Sequence, residues 1–253
     1  MIAGLDDAEL VRRIGQRAVA RDAEAELCRR FAPRVRLYGL RHLRDEDRAA
    51  DLVQRVLIAV LEAARAGRIE DAEHIDRFIL GTCRNAAQRV RQREARSTFT
   101  DLAELERRAG VVEPTFERVE VADLLRCSSQ LDARAQSVLL LSFQAERETE
   151  EIAKTMELSA GNVRVLRHRA LAELCGCLDS PGGDAPMSCS NPIAWADLVL
   201  YWASDLASAQ VESLEDHLIG CGPCSAQSAR VTAVVQGLRG LIPPVVERAT
   251  LIR

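Results

Sequence analysis

Three thiols and one imidazole in the last third of the chain have the spacing of a metal site. Cys189 is followed 28 residues later by His217-Leu-Ile-Gly-Cys221-Gly-Pro-Cys224. His217 and Cys221 are four residues apart, so on a helix they share a face. Cys224 folds back across the Gly-Pro turn to present a second sulfur at the same point. With Cys189 the set is one imidazole and three thiolates, a closed tetrahedral donor group suited to structural Zn2+. Free thiols beside a satisfied histidine are the plainer alternative.

Two clusters of arginine suggest a second kind of chemistry. Arg84, Arg89, Arg91, Arg93 and Arg96 form one, and Arg164, Arg167 and Arg169 the other. The chain is acidic overall, with net charge −4: residues 1–100 carry +4, residues 101–180 −5 and residues 181–253 −3. Basic helices on such a background mark places where phosphates are met; taken singly, each cluster also reads as a solvated helix face. The second cluster lies in ETEEIAKTMELSAGNVRVLRHRALAEL. There Ile152, Ala153 and Met156 face one way, Leu158 fills a turn, and Ser159 is placed to cap a helix whose Val163, Leu166 and Ala170 face back. This is a helix-turn-helix pattern. Its second helix carries Asn162, Arg164, Arg167, His168 and Arg169, donors long enough to reach base edges and phosphates in a major groove.

The elements that must position these residues are helical. Aromatics make up 4% of the 253 residues, Gly and Pro number 14 and 8, and Ala, Leu, Val, Arg and Glu dominate, which favours an all-α chain over sandwiches or barrels. Apolar residues recur at helical spacing in 10–19, 27–43, 52–61 and 75–90, with Pro33 inside the second stretch. Residues 95–116 lose that periodicity and read as a linker. A second helical set covers 119–131, 133–143, 149–156 and 161–174; a turn-rich stretch, DSPGGDAPMSCSNP, follows at 179–192, and a third set runs from 193 to about 241. No apolar run approaches the ~20 residues of a membrane span, and the acidic N-terminus has no targeting pattern, so a cytoplasmic protein without membrane contact is expected. Eight cysteines are too few for a disulfide scaffold. Cys28, Cys83 and Cys127 read as core thiols. Cys175-Gly-Cys177 reads as an inert pair at a helix end or as part of a second metal or redox site.

With these stretches in view, the chain resembles the extracytoplasmic-function (ECF) sigma factors, bacterial promoter-recognition subunits of RNA polymerase. The likeness is carried by ELVRRIGQRAVARDAEAELCRRFAPRVRLYGL (9–40), DEDRAADLVQRVLIAVLEA (45–63), DRFILGTCRNAAQRVRQRE (76–94), and LDARAQSVLLLSF (131–143) ahead of the helix-turn-helix. It implies sigma region 2 over residues 1–95, a linker over 96–116 and sigma region 4 over 117–178. By that resemblance, the helix with Asp51, Leu52, Val53, Gln54 and Arg55 docks on the β′ clamp of the polymerase core. The helix with Arg84, Asn85, Arg89, Arg91 and Arg93 meets the minus-ten element. Region 4 reads the minus-thirty-five element as duplex beside the β flap. The chain departs from the family pattern at Arg55, where an acidic residue is usual, in the acidic loop 67–74, and at Phe78, where Trp is common.

The His-x3-Cys-x2-Cys signature and the MSC ahead of it resemble the zinc-binding anti-sigma domain, here fused in cis over residues 193–253, with Cys189 in the linker 179–192. The combination implies a sigma factor that catalyses nothing itself and is regulated by intramolecular contact of its C-terminal domain with the sigma regions, through autoinhibition that responds to metal or redox state. A zinc domain that activates or mediates self-association is the rival within regulation. Two further readings compete: a non-sigma regulator that shares only the helix-turn-helix, and a thiol oxidoreductase using Cys221-Gly-Pro-Cys224. The second requires a strand before that tetrad and a helix after it, whereas Leu214–Ile219 reads as helix.

Overall fold

The computed structural model describes residues 2, 4–16, 20–96, 119–178 and 189–241. All of the expected linker at 96–116 except Arg96, which ends a helix, and most of that at 179–192 lie outside these residues. Every described element is helical and no strand occurs among the described residues, so the chain is all-α. None of these helices is long and apolar enough to cross a membrane. The chain divides into two compact units, one of residues 1–115 with 213–225, the other of residues 116–212 with 226–253.

The first unit is built on α1 (Asp7–Gly15), α2 (Ala20–Leu43), α3 (Glu46–Arg65) and α4 (Ile75–Arg96). Short acidic side chains start two of them: Asp6 accepts from the Glu9 amide at 2.7 Å and Asp45 from the Arg48 amide at 2.8 Å, satisfying N–H groups that the first helical turn leaves open. Pro33 has no N–H to give the Arg29 carbonyl, yet α2 runs through it without ending. The stripe Leu27, Phe31, Val35 and Tyr38 packs on Leu52, Val56 and Val60 of α3 and Ile75, Ile79 and Cys83 of α4. Burying each of the larger of these side chains is worth about 1.5–3 kcal/mol. A Cβ at Gly39 would stand 3.0 Å from both Cα and Cβ of Ala49, so the bare backbone is what lets α2 and α3 approach so closely.

The second unit holds α5 (Val121–Ser128), α6 (Ala133–Leu139), α7 (Thr149–Thr155), α8 (Ala160–Leu178) and α9 (Trp195–Trp202). α6 starts on Asp132, which accepts from the amides of Arg134 and Ala135, and ends in one wide π turn, Leu140–Gln144. Val138, Ile152, Ala153 and Val163 form the buried centre of the α6–α8 packing, with Met156, Leu158 and Leu166 against it. The expected turn is present. Glu157 takes a left-handed φ of 54°, the Leu158 amide donates to Ala153 O at 2.9 Å, and Ser159 Oγ accepts from the Asn162 amide at 3.1 Å.

Two further helices, α10 (Ser208–Gly220) and α11 (Gly222–Arg239), contribute to both units. The segment 213–225 places Ile219 in the apolar core of the first unit. In the second, Trp202 of α9 lies with its indole N–H 3.4 Å from Ser228 Oγ of α11.

Candidate nucleic-acid and metal sites

On α8 the expected DNA-reading residues divide by exposure. Asn162 and Arg169 are exposed, Arg164 and His168 half-buried, and Arg167 is buried at 1%. The helical period explains Arg167: it falls on the stripe Val163, Arg167, Ala170, Leu174, which faces the core. It therefore does not lie on the exposed face expected from the sequence. A buried guanidinium needs acceptors on all sides. Its Nε donates to Ser142 Oγ at 2.9 Å, Nη2 to Thr149 Oγ1 at 2.8 Å, and Nη1 to Asp205 Oδ2 at 2.5 Å. The Thr149 hydroxyl in turn donates to the Asp205 carboxylate at 2.8–2.9 Å. Arg164 Nε lies 3.6 Å from the same carboxylate. Burial pulls the Arg167 pKa down from the ordinary arginine value, and the Asp205 charge opposes that fall. Asp205 follows α9 and comes from the C-terminal segment, so one carboxylate holds the two arginines that a groove-reading helix would turn toward phosphate.

In the first unit Arg84, Asn85, Arg89, Arg91 and Arg93 are all exposed along α4. They share that surface with Glu215 of α10, which is 4% exposed. Arg91 Nη2 donates to His42 Nδ1 at 2.9 Å, and His42 Nε2 lies 2.5 Å from Glu215 Oε1. An arginine can only donate, so Nδ1 accepts and the ring proton sits on Nε2, directed at the carboxylate. Arg84 Nη2 is 3.9 Å from Glu215 Oε2. Burial, with the Glu215 charge adding to it, pushes the Tyr38 phenol up and the Cys83 thiol up to about 12. Arg34 holds the other end of α10. Its Nη1 donates to Ile219 O at 2.9 Å and approaches Gly220 O at 3.4 Å, supplying the donors that the last helical carbonyls lack.

Of the residues expected on the polymerase-facing helix α3, Gln54 and Arg55 are exposed, and Asp51 and Val53 are half-buried. Arg55 pairs with Asp51 at 3.5 Å. Leu52 is 1% exposed and belongs to the core of its own unit. Its place in the stripe Ala49, Leu52, Val56, Val60 is the reason. Ile58, 57% exposed one turn beyond Gln54 and Arg55, is the apolar residue that this surface presents instead.

Cys189, His217, Cys221 and Cys224 come together: one ligand atom from each lies within 4.8 Å of all the others. His217 Nε2 stands 3.2 Å from Cys224 Sγ. Around a tetrahedral zinc the nitrogen-to-sulfur and sulfur-to-sulfur separations are roughly 3.5–3.8 Å, so small adjustments would close the set on an ion. α10 ends at Gly220 and α11 begins at Gly222, leaving Cys221 alone between them; its amide donates to His217 O at 2.8 Å and its carbonyl accepts from the Ser225 amide at 3.0 Å. Cys224 is fully buried, and the other three ligands are partly so. The cluster is able to hold a metal. Helices flank Cys221-Gly-Pro-Cys224 on both sides, without the strand that the oxidoreductase reading requires.

Sequence reasoning missed Asp205, Glu215 and Arg34. Its available signal was the acidic excess of residues 181–253, which says that carboxylates are present but not which of them meet arginine. It also assigned Cys127 as a free core thiol; the residue is buried, but its sulfur is bonded to that of Cys177.

No curated protein and no solved structure matches the chain at a significant level. Residues 122–174 match the family described as Sigma-70, region 4, a non-enzymatic transcription-factor domain that binds promoter DNA with the RNA polymerase core. The matched stretch runs from α5 through the helix-turn-helix, so the chain carries a sigma-type DNA-binding domain, as a sigma factor or a related DNA-binding regulator.

Proposed function

We propose that this chain is a cytoplasmic ECF-type sigma factor whose C-terminal segment, residues 193–253, acts on it as a zinc-binding, anti-sigma-like regulator in cis. The observation that carries the reading is the sigma region 4 match over the helix-turn-helix. Residues 1–95 then serve as region 2, with Asp51, Gln54, Arg55 and Ile58 toward the polymerase β′ clamp and Arg84, Asn85, Arg89, Arg91 and Arg93 toward the minus-ten strand. Residues 117–178 serve as region 4, with Asn162, Arg164, Arg167, His168 and Arg169 toward the minus-thirty-five duplex. Polymerase does the chemistry; the chain supplies position and promoter choice.

Autoinhibition is supported by which residues the C-terminal carboxylates engage. Asp205 holds Arg164 and Arg167, and Glu215 holds His42 with Arg84 close by. Each carboxylate stands in for the phosphate that the same arginine would meet on DNA. Because the segment is tethered, modest intrinsic affinity suffices at high effective concentration. The Cys/His cluster lies in the same segment, and its three soft thiolates with one imidazole favour Zn2+. Oxidation of Cys221 and Cys224 to a disulfide would remove two of those thiolates, release the ion and loosen the segment.

Run-off transcription with added core polymerase tests the proposal. The expected result is promoter-specific transcript without any other sigma factor, raised when the Asp205 and Glu215 charges are removed. A regulator of another type would give no transcript under these conditions, and a C-terminal segment that activates would give less on charge removal.

A further inference from the structure

Cys127 and Cys177 are 50 residues apart in sequence and neither belongs to the Cys/His cluster, yet their sulfurs are bonded. We infer that this pair is a second thiol redox site, separate from the metal cluster, which a hydroperoxide oxidises and a small dithiol reduces. The inference does not depend on the sigma-factor reading.

The two sulfurs are unequal in a way that suits stepwise oxidation. Cys127, on α5, is 1% exposed, whereas Cys177, in the last turn of α8, is half-buried and accessible from solvent. The reacting species is the thiolate, which a neighbouring cation favours. Arg126 donates from Nε and Nη2 to Asp123 Oδ1 at 3.3 and 3.1 Å, and its remaining terminal nitrogen, Nη1, lies 3.6 Å from Cys177 Sγ. The negative end of the α8 dipole works against an anion there, and the Arg126 guanidinium, shared with Asp123, works for it. In the reduced protein the Cys177 thiolate would attack the outer oxygen of a hydroperoxide ROOH; the O–O bond breaks, ROH leaves with a proton from solvent, and Cys177 becomes a sulfenic acid. Cys127 would then attack that sulfur, losing its proton as the hydroxyl departs as water, and the S–S bond forms. The sulfurs give up two electrons, and the peroxide takes them. A dithiol reverses the bond by exchange through a mixed disulfide, ending as a disulfide itself.

Cys175 does not substitute for Cys177. Two residues along a helix rotate a side chain through roughly 200°, and Cys175 accordingly points into the core at 7% exposure. The bond ties α5 to the end of the helix that carries Arg164, Arg167 and Arg169, so its state bears on the docking frame of that helix and leaves the metal ligands untouched.

The test uses the full chain, zinc-loaded, with tert-butyl hydroperoxide as oxidant and dithiothreitol as reductant. Thiols are alkylated in denaturant with chelator, and peptides are mapped after cleavage at arginine and acidic residues. The reduced chain should alkylate at all eight cysteines and the oxidised chain at six, with the Cys127 and Cys177 peptides recovered as one species and zinc retained. Cys177→Ser should abolish the linked species, and Cys175→Ser should keep it. Eight alkylated cysteines after oxidant, a Cys221–Cys224 linkage with loss of zinc in place of the Cys127 linkage, or a Cys127–Cys175 linkage in Cys177→Ser would each overturn the assignment.

Discussion

Asp205→Asn removes one charge from the pocket around Arg167 and keeps the shape. The side chains of Arg167 and Asp205 are 1% and 10% exposed, so the substitution leaves a guanidinium buried without its counter-ion. Breaking such a pair from one side costs about 3–5 kcal/mol. The Ser142 and Thr149 hydroxyls remain as partners, and the new amide still offers an oxygen, which places the expected cost near the lower bound, about 3 kcal/mol. Arg167 escapes that cost by leaving the pocket for water or phosphate. The closed arrangement is therefore weakened on the order of 100-fold relative to the open one. Duplex DNA affinity of the full chain should rise by up to that factor. Arg164 and Arg167 both become free to meet phosphate, so the plot of log affinity against log salt should steepen by about 1.8, at about 0.9 per phosphate neutralised. Asp205→Glu, which keeps the charge, should show little of either effect. Fluorescence anisotropy with labelled duplex at several salt concentrations reads both quantities. If Asp205→Asn lowers the melting temperature while affinity and salt slope stay at the parental values, the pair is a structural element of the fold and the competition argument fails.

Three other outcomes are expected of this chain. On the zinc proposal, the parent chain should carry one ion and Cys224→Ala should fall to substoichiometric levels under mild chelation, measured by atomic absorption, because Cys224 is the fully buried member of the cluster and water cannot replace its thiolate. Gly39→Ala should destabilise the first unit by about 1–3 kcal/mol, read as a lower denaturant midpoint, since its Cβ would press 3.0 Å against the Ala49 backbone. Cys83, whose thiol is pushed up to about 12 by burial, stays protonated through pH 8 and should resist alkylation in the native chain until unfolding exposes it.

How much of this was legible beforehand depended on whether the partners were near in sequence. The helix-turn-helix could be read because Ile152, Val163 and Ala170 keep helical spacing around a capping Ser159, all within a few turns. His217 and Cys221 were legible as ligands for the same reason. The period that places those residues also puts Arg167 and Leu52 on buried stripes; the recognition-helix pattern groups Arg167 with exposed donors, and the family resemblance groups Leu52 with docking residues. Nothing local marks Asp205. It is a lone acid in a short connection, and its importance comes from Arg167, 38 residues earlier. Cys127 and Cys177 present the same problem at a separation of 50, since a thiol carries no sign of its mate when each lies within an ordinary helical pattern.

A single residue, Cys221, separates α10 from α11, and it also offers a sulfur to the cluster. Junction and chemistry therefore meet in one residue. Serine would preserve the joint and forfeit the soft donor. A Cβ added at the adjoining Gly222 would stand 3.1 Å from Arg34 Nη2, so the guanidinium whose Nη1 holds the end of α10 would have to shift slightly. A lineage that abandoned the metal could therefore keep the joint by way of Cys221→Ser, while the approach of Arg34 to Gly222 narrows what the next position accepts.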